Sequence, residues 1–376
     1  MTTTNSTTSE TKGTSTAPIV HGDIHLIRAT SQEIIQRTWT NNQQEWGKDF
    51  GAETYYARER FLASQDFASN GKQKFWVLVP RTFDPEHPDL DLILSAVETF
   101  ERPGIIATKE QGLRDVLSVS IASVFTPAHY RGHGYASLMM RLLWKEIQKM
   151  DKVEFTFLYS DVGPVFYSRI GWIAKRSDEI VIPTSHTIAN PTSSSDVVLQ
   201  NVTEHQLLEL VEKDAKWLRE SLQTRVESSD RDDVFVAVIP EPTCIAWLNA
   251  RSRFTAQNLK VSQDGPTILG VQDSQTNSFV LWFHDFAHHQ LYIIRWRMDP
   301  KAGVETTRAL LQAAQAEAQM WKLPKIVIWN PDQSLVDTLG LDISKRDESI
   351  SSIGFVSAEY DSKNIEWVLN EKYGWC

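Results

Sequence analysis

A strand, a glycine-rich loop, an amphipathic helix and a second strand follow one another directly between residues 115 and 160. The first strand ends before Pro127, and the loop with Gly132 and Gly134 leads straight into the helix. Apolar residues recur in that helix every three or four positions, which places them on one face. Because such a unit joins neighbouring parallel strands through a right-handed crossover, the segment predicts a sheet with at least one parallel pair.

The loop before this helix has the chemistry of an anion site. The first N–H groups of a helix have no partner within it, and glycine allows a ligand to approach the backbone closely. A pyrophosphate is the anion expected there, and a tight turn without a ligand is the alternative. The sequence contains neither GxxxxGK[ST] nor GxGxxG with a downstream ribose-binding acid, so neither standard nucleotide fingerprint fits.

The order of predicted elements divides the chain of 376 residues into two parts, as expected at roughly 150 residues per domain. Residues 1–22 are rich in Thr and Ser and predict a disordered tail. In residues 23–184, helices precede an antiparallel meander and then the crossover, which predicts an α+β domain. Residues 185–196 predict a linker, and residues 197–376 a second domain with a similar order of strands and helices.

Charge and cysteine content limit the possible partners and compartments. The net charge of -10 opposes binding to nucleic acid and favours a small cationic partner. Cys244 and Cys376 are too few for a disulfide framework, so a reducing compartment is expected. No run approaches the roughly 18 apolar residues of a membrane span. The N-terminus also lacks the apolar run of a signal peptide. We therefore expect a cytoplasmic protein without a membrane partner.

Two motifs resemble those of the GNAT N-acetyltransferase superfamily. Arg131-x-x-Gly134-x-Ala136, after an apolar strand, is similar to its Q/R-x-x-G-x-G/A loop, which binds the pyrophosphate of acetyl-CoA. YSDVGPVFYSRIGW resembles the next element of that superfamily, with Tyr167 at its tyrosine and Gly171 near its end. The resemblance covers residues 23–183. It implies an α+β fold with a mixed sheet, acetyl-CoA as co-substrate and no metal, and the second half is then a degenerate domain of the same kind.

The same resemblance implies which residues contact the coenzyme. The main chain of Val124, Phe125 and Thr126 is expected along the pantetheine arm, with one amide directed at the thioester carbonyl. Ser160 stands where the superfamily usually has asparagine, which leaves the pantetheine contact there open. The expected pyrophosphate loop comprises Arg131, Gly132, His133, Gly134, Tyr135 and Ala136.

The strand before the loop has an irregular pattern. Its apolar alternation through Val119 and Ile121 is interrupted by Ser123 beside Val124. A β-bulge there would direct backbone groups toward a ligand. A serine on the outer face of a partly exposed strand is the alternative, and alternation alone does not decide between them.

Two residues are the main candidates for proton transfer. Tyr167 is the candidate general acid, because a phenol of pKa about 10 can protonate a thiolate of pKa near 8.5. Its alternative role is a core tyrosine. Glu98 is the first candidate for the general base that a lysine-type amine of pKa about 10.4 requires. An exposed glutamate at a strand edge is the alternative there, and His129 and His133 are further candidates for the base.

The second half offers weaker candidates. HDFAHHQ lies between two strand-like runs and predicts a hairpin turn in preference to a metal site. Arg295 and Arg297 share one strand face, where they would grip a substrate carboxylate or lie at the surface. The C-terminal IEWVLNEKYGWC would fill a cleft between the domains or complete the core. With only Gly303 after its crossover strand, this half is predicted to bind no coenzyme and to form a wall of the amine pocket.

Across the whole chain, four phrases resemble the fungal lysine N6-acetyltransferases of lysine catabolism: SAVETF, VFTPAHYRGHGYA, LYSDVGPVFYSRIGW and the final NEKYGWC. This resemblance implies transfer of an acetyl group from acetyl-CoA to the side-chain amine of free L-lysine, by direct attack in a ternary complex. The alternatives are a protein-lysine or polyamine N-acetyltransferase and a non-catalytic acyl-CoA-binding sensor.

Overall fold

The computed structural model describes residues 19–187, 197–360 and 363–376. Most of the predicted tail (residues 1–18) and of the predicted linker (residues 188–196) lies outside the described residues. Among the helices that the structure describes, none combines the length and apolar character needed to cross a membrane.

The first half begins with two helices and a meander, as predicted. The hydroxyl of Ser31 accepts a hydrogen bond of 3.3 Å from the Ile34 amide and caps the first helix. The elements are β1 (Ile24–Ala29), α1 (Gln32–Trp46), α2 (Ala52–Ala63), β2 (Gln73–Pro80), β3 (Ser95–Thr108), β4 (Gly112–Phe125), α3 (Tyr135–Ile147), β5 (Val153–Ser160), α4 (Val165–Ser168), β6 (Ile173–Ala174) and β7 (Asp178–Pro183).

The second half repeats the strand, helix and crossover pattern and adds one long helix, α6, that the sequence pattern does not predict. Its elements are β8 (Leu199–Val202), α5 (Glu204–Ser228), β9 (Asp233–Val238), α6 (Pro242–Asn258), β10 (Gly270–Asp273), β11 (Phe279–Asp285), β12 (Gln290–Arg297), α7 (Val304–Met320), β13 (Lys325–Trp329), α8 (Gln333–Leu339), β14 (Ser344–Lys345), β15 (Ile350–Phe355) and β16 (Asn364–Trp367).

Two mixed sheets form from these strands. The first has the order β1-β2-β3-β4-β5-β15-β6, and β9 joins it by pairing with β3 and with β16. The second has the order β8-β10-β11-β12-β13-β7-β14. In each sheet one parallel pair follows from a strand–helix–strand crossover, β4 with β5 through α3 and β12 with β13 through α7. The predicted mixed-sheet α+β fold and its second copy are confirmed.

The two halves exchange one strand each. β7 of the first half pairs antiparallel with β13, from Pro183–Lys325 to Glu179–Trp329. In return, β15 of the second half pairs antiparallel with β5, from Ile350–Ser160 to Phe355–Phe155. Backbone hydrogen bonds therefore join each half to a strand of the other, while the residue limits of the two domains stay a prediction.

A continuous core joins the two sheets and borders the site described below. Phe67 and Phe100 of the first half stack at 5.3 Å between ring centroids, and both lie against the indole of Trp247 in α6. The C-terminal segment enters the same core, since the buried hydroxyl of Tyr373 donates a 2.6 Å hydrogen bond to the Val238 carbonyl. This packing fixes α6 and the chain end against the first sheet.

Candidate active site

The central parallel pair of the first sheet separates at its carboxyl end. The ladder between β4 and β5 ends at the pair Ile121–Leu158, while β4 continues to Phe125. Within the described chain, no strand neighbours residues 122–125 on the β5 side. The open ends of parallel strands are the usual place for a ligand in a mixed sheet.

A β-bulge lies at the same point. Ala96 pairs with Phe125 but Glu98 pairs with Ala122, so β4 holds one extra residue. Ser123 adopts a left-handed conformation with a φ of 52°. Of the two alternatives that the sequence left open at Ser123 and Val124, the structure shows the bulge, which turns backbone groups out of the regular ladder.

The loop after β4 leaves helical amides open, as predicted. Gly132 and Gly134 have φ angles of 84° and 76°, which favour glycine, and no side chain caps α3. Both glycines are exposed. A side chain at Gly134 would place its Cβ 3.4 Å from the ring of His21, so the space above this helix start is limited. The exposed amides, the glycines and the helix dipole fit a diphosphate.

Three side chains of the loop are held by its own backbone or by neighbours. Arg131 donates from Nε to the Thr126 carbonyl at 3.0 Å, and its guanidinium lies 3.4 Å from the Glu45 carboxylate. The Nδ1 atom of His133 lies 3.0 Å from the Arg131 carbonyl. Tyr135 is buried below the loop, where its hydroxyl accepts from the Ile19 amide at 3.0 Å. A ligand in this loop would therefore meet main-chain amides and a fixed positive charge.

Two hydroxyl groups shape the strand ends. Ser95 donates to the Phe125 carbonyl at 2.8 Å, and its oxygen lies 2.9 Å from that of Thr126. Ser160 donates to the Gly163 carbonyl at 2.8 Å. Because its hydroxyl is already bonded within its own turn, Ser160 offers less to a pantetheine amide than a free asparagine would.

Glu98 is buried beside the bulge. Its side chain is 7% exposed and accepts a hydrogen bond of 2.9 Å from Gln73 and another from the hydroxyl of Ser123. Burial, reinforced by the negative charge of Glu59, raises the pKa of Glu98 to about 8. The burial of Glu98 excludes the alternative interpretation, in which this glutamate lies exposed at a strand edge. A carboxyl group with such a pKa accepts protons near neutral pH.

Glu98 opens onto a cavity of about 110 Å³, which we call the acceptor cavity. It lies beside the bulge, and α2, α6 and the C-terminal segment form its other walls. Both halves of the chain therefore contribute to it. The lining residues are Trp46, Tyr55, Arg58, Glu59, Leu62, Ala63, Gln73, Glu98, Phe100, Ile121, Ala122, Ser123, Tyr159, Asp161, Trp247, Arg251, Trp375 and Cys376.

Tyr167 lies on α4, beyond the end of β5. It is 7% exposed, and its ring packs edge-on against Phe166 and Trp172 at 4.8 and 6.4 Å. Burial, with the charge of Asp161, raises the pKa of Tyr167 well above its usual value, so the phenol stays protonated. Tyr167 does not line the acceptor cavity, but Asp161 does. The structure thus brings Glu98 and the bulge together and places Tyr167 on the neighbouring core.

The histidine candidates lie away from the acceptor cavity. His129 is exposed and packs on Tyr130. In HDFAHHQ, β11 and β12 form the predicted hairpin, with His288 paired to Asp285 at 2.8 Å. His284 instead lies 2.8 Å from Glu317. Among the described residues, no group of three or more His, Cys, Asp or Glu side chains is arranged to hold a metal ion.

The two strand arginines are buried in the second half of the chain. Arg295 is buried and donates to Asp214 at 2.7 and 2.8 Å and to Glu371 at 2.9 Å. The guanidinium of Arg297 lies over the Trp217 ring at 4.8 Å. Arg295 is saturated by the protein's own carboxylates and both side chains are buried, so neither alternative, a grip on a substrate carboxylate or a pair at the surface, fits these residues.

Sequence reasoning missed several cavity residues, Arg251 among them, and named the C-terminal segment only as one alternative. Arg251 was missed because it lies in α6, which the apolar pattern does not predict. The aromatic chain end was one of two alternatives for a cleft, and Trp375 and Cys376 do line the acceptor cavity. Arg102 holds this segment by donating to the Gly374 carbonyl at 3.3 Å.

Comparison with known proteins gives a matching family model and a related protein. Residues 183–376 match the family model of the LYC1 GNAT-like C-terminal domain. A protein of Yarrowia lipolytica named lysine acetyltransferase is 25% identical over 406 residues, covering 93% of this chain and all of that protein.

Two solved structures have a similar fold at low identity. A probable N-acyltransferase from Enterococcus faecalis V583 is 14% identical with a TM-score of 0.56, covering 89% of this chain and 73% of its own. A GCN5-related N-acetyltransferase from Anabaena variabilis ATCC 29413 has the same identity and coverages and a TM-score of 0.52. At this identity the likeness concerns the fold alone. The bulge in β4, the separation of β4 from β5 and the glycine loop agree with these matches. The chain belongs to the family of the LYC1 GNAT-like C-terminal domain and is a GNAT-type N-acetyltransferase.

Proposed function

We propose that this chain transfers the acetyl group of acetyl-CoA to the side-chain amine of free L-lysine. The observation that carries the proposal is the buried carboxyl group of Glu98, with a pKa of about 8, facing a small cavity beside the bulge. The cavity of about 110 Å³ is below the roughly 300–1,000 Å³ of sites for drug-sized ligands, which favours a small amine. The name of the Yarrowia relative and the net charge of -10 agree with a cationic lysine.

The coenzyme is proposed to bind along β4 and at the start of α3. The amides around Gly132 and Gly134 would hold the pyrophosphate, with Arg131 adding positive charge. The main chain of Val124 to Thr126 would run beside the pantetheine arm. The turn at the bulge supports this placement, because an amide directed at the thioester oxygen stabilises the charge that develops there by a few kcal/mol.

Glu98 is proposed to take the proton of the attacking amine. At a pKa of about 8, removing a proton from an ammonium of pKa about 10.4 costs about 3 kcal/mol. An ordinary glutamate of pKa about 4.3 would make the same transfer cost about 8 kcal/mol. Burial of Glu98 therefore lowers the cost of generating the neutral amine by several kcal/mol.

Acyl transfer then follows by direct attack. The amine nitrogen bonds to the thioester carbonyl carbon, the carbon–sulfur bond breaks, and the sulfur leaves with the electron pair. Tyr167 is proposed to donate its hydroxyl proton to that sulfur. The nitrogen loses its second proton as the amide forms, and that proton restores the tyrosine hydroxyl, so that only the proton held by Glu98 is released to solvent. Its raised pKa keeps the phenol protonated until the thiolate forms. No acyl-enzyme is needed in this sequence.

The second half is proposed to bind no coenzyme. In its sheet the position equivalent to the opening between β4 and β5 lies between β12 and β13. The chain's own C-terminal segment occupies that position, since Glu371 accepts from the Trp296 amide at 3.1 Å and Asn330 donates to the Asn370 carbonyl. Its role is then to supply α6 and the chain end as walls of the acceptor cavity.

The proposal is tested by a substrate screen. Purified protein is incubated with acetyl-CoA and free amino acids, polyamines or a histone-tail peptide, and thiol release is measured. We expect the highest kcat/KM with L-lysine. Faster turnover with spermidine or the peptide would assign a polyamine or protein acetyltransferase. Tight acetyl-CoA binding without turnover of any amine would assign a sensor.

We also place the reaction in lysine degradation in the cytosol. The resemblance to the fungal lysine N6-acetyltransferases supports the pathway, and the free thiols of Cys244 and Cys376 agree with a reducing compartment. Localisation of the tagged protein in cells would test the compartment.

A further inference from the structure

Arg251 enters the acceptor cavity from the second half of the chain. It lies on α6, is half-buried, and its guanidinium is 5.4 Å from the centre of the Trp375 ring. Within residues 19–187, 197–360 and 363–376, the structure shows no hydrogen bond or ion pair to this side chain. Burial and the nearby charge of Arg58 lower the pKa of Arg251 to about 10. The negative charges of Glu59 and Asp285 offset this in part, but neither carboxylate forms an ion pair with the guanidinium, so its N–H donors stay open to a ligand.

Other arginines of this region have protein partners. Arg58 lines the same cavity, but it donates to Glu59 at 2.9 and 2.6 Å and to the Trp46 carbonyl at 3.2 Å. Arg102 donates to Glu241 at 2.7 Å. Arg346 does have unpartnered nitrogens, but it is stacked on Trp329 at 3.7 Å and does not line the cavity. Arg251 is therefore the guanidinium that is both unpaired and placed to meet a substrate.

We propose that Arg251 binds the α-carboxylate of the amino-acid substrate. This inference rests on the proposed function, in which the amine at the other end of the substrate meets Glu98 in the same cavity. A guanidinium and a carboxylate match in geometry and form two parallel hydrogen bonds. The cavity then holds a proton acceptor for the amine and a cation for the carboxylate.

This assignment explains how the cavity selects among amines. A polyamine has no carboxylate, so it would leave Arg251 buried and unpaired. A lysine within a protein chain has a neutral amide at that position and also lacks the charge. A site that leaves a buried polar group unpaired with the wrong substrate discriminates strongly. Arg251 therefore favours free amino acids over polyamines and protein side chains.

The test compares two substrates in two variants. L-lysine and cadaverine carry the same terminal amine chain, but cadaverine lacks the carboxylate. We expect Arg251→Gln to raise KM for L-lysine by about 10- to 100-fold with kcat changed little, and to lower KM for cadaverine, because the variant removes the cation that cadaverine leaves unpaired. Arg253→Gln is the matched control, because Arg253 lies on the same helix but pairs with Glu204 outside the acceptor cavity. It should keep the wild-type preference for L-lysine.

The outcomes separate this inference from the proposed substrate. Equal losses for both substrates, or an unchanged KM for L-lysine, would overturn the role of Arg251. Acetyl-CoA binding by each variant verifies folding, and Arg251→Lys gives a second test because it keeps the charge but loses the bidentate geometry. If another free amino acid is the best substrate, the lysine assignment fails. Comparing the KM of that amino acid with the KM of its decarboxylated analogue still tests Arg251. Turnover restricted to amines without a carboxylate would refute both.

Discussion

Replacing Glu98 by glutamine tests the central proton transfer. The substitution keeps the shape of the side chain and an oxygen that accepts from Gln73, but it removes the ionisable group. With a pKa of about 8, roughly one in eleven wild-type molecules has an ionised Glu98 at pH 7. Wild-type kcat should therefore rise about tenfold between pH 7 and a plateau above pH 9, because only the ionised carboxylate accepts the proton.

The assay is thiol release from acetyl-CoA at saturating L-lysine, measured from pH 6 to 9.5. Glu98→Gln should lower kcat on the plateau by about 10²- to 10⁴-fold and remove the rise centred near pH 8. Glu101→Gln is the control, since Glu101 lies on the same strand but pairs with Lys74 and does not line the acceptor cavity. A Glu98→Gln variant that keeps both the wild-type rate and the rise near pH 8 would refute the assignment of the base.

Three further outcomes test the coenzyme half of the site. Tyr167→Phe should lower kcat by about 10²- to 10⁴-fold with acetyl-CoA affinity unchanged, and an unchanged kcat would remove Tyr167 from the mechanism. Gly134→Asp should weaken acetyl-CoA binding about tenfold or more, because it places a negative charge near the coenzyme phosphates. Gly112→Asp is the control, since Gly112 has a similar φ of 67° and lies in open space, and it should leave the affinity unchanged. Equal affinities of the two variants in a calorimetric titration would contradict the loop assignment. Equilibrium dialysis should find one acetyl-CoA per chain, and two would show that the second half also binds it.

Local patterns predicted the elements that have one apolar face. The crossover helix α3 and the strands around it follow their hydrophobic periodicity, and a single interruption at Ser123 was enough to suggest the bulge. The sequence pattern did not predict helix α6, because the consecutive residues 247–250 are all buried and the helix has no amphipathic period.

Long-range partners were beyond the reach of the sequence pattern. Arg295 and Arg297 share a strand face as predicted, but the carboxylate that saturates Arg295 belongs to Asp214, 81 residues earlier in the chain. The pairing of β7 with β13 likewise depends on a strand more than 140 residues away. For Glu98 the apolar strand neighbours made a partly desolvated position one of two open alternatives, and the structure shows the buried one.

The exchange of β7 and β15 has a consequence for how this enzyme is divided in the laboratory. A fragment that stops shortly after β7 would lose β15, a neighbour of β5, the strand that carries Tyr159 and precedes Asp161. It would also leave β7 without its partner β13. The unpaired edges of β5 and β7 would then be exposed and prone to aggregation. The first half is thus not a separable module, and truncation or domain grafting has to carry both halves or supply a substitute strand.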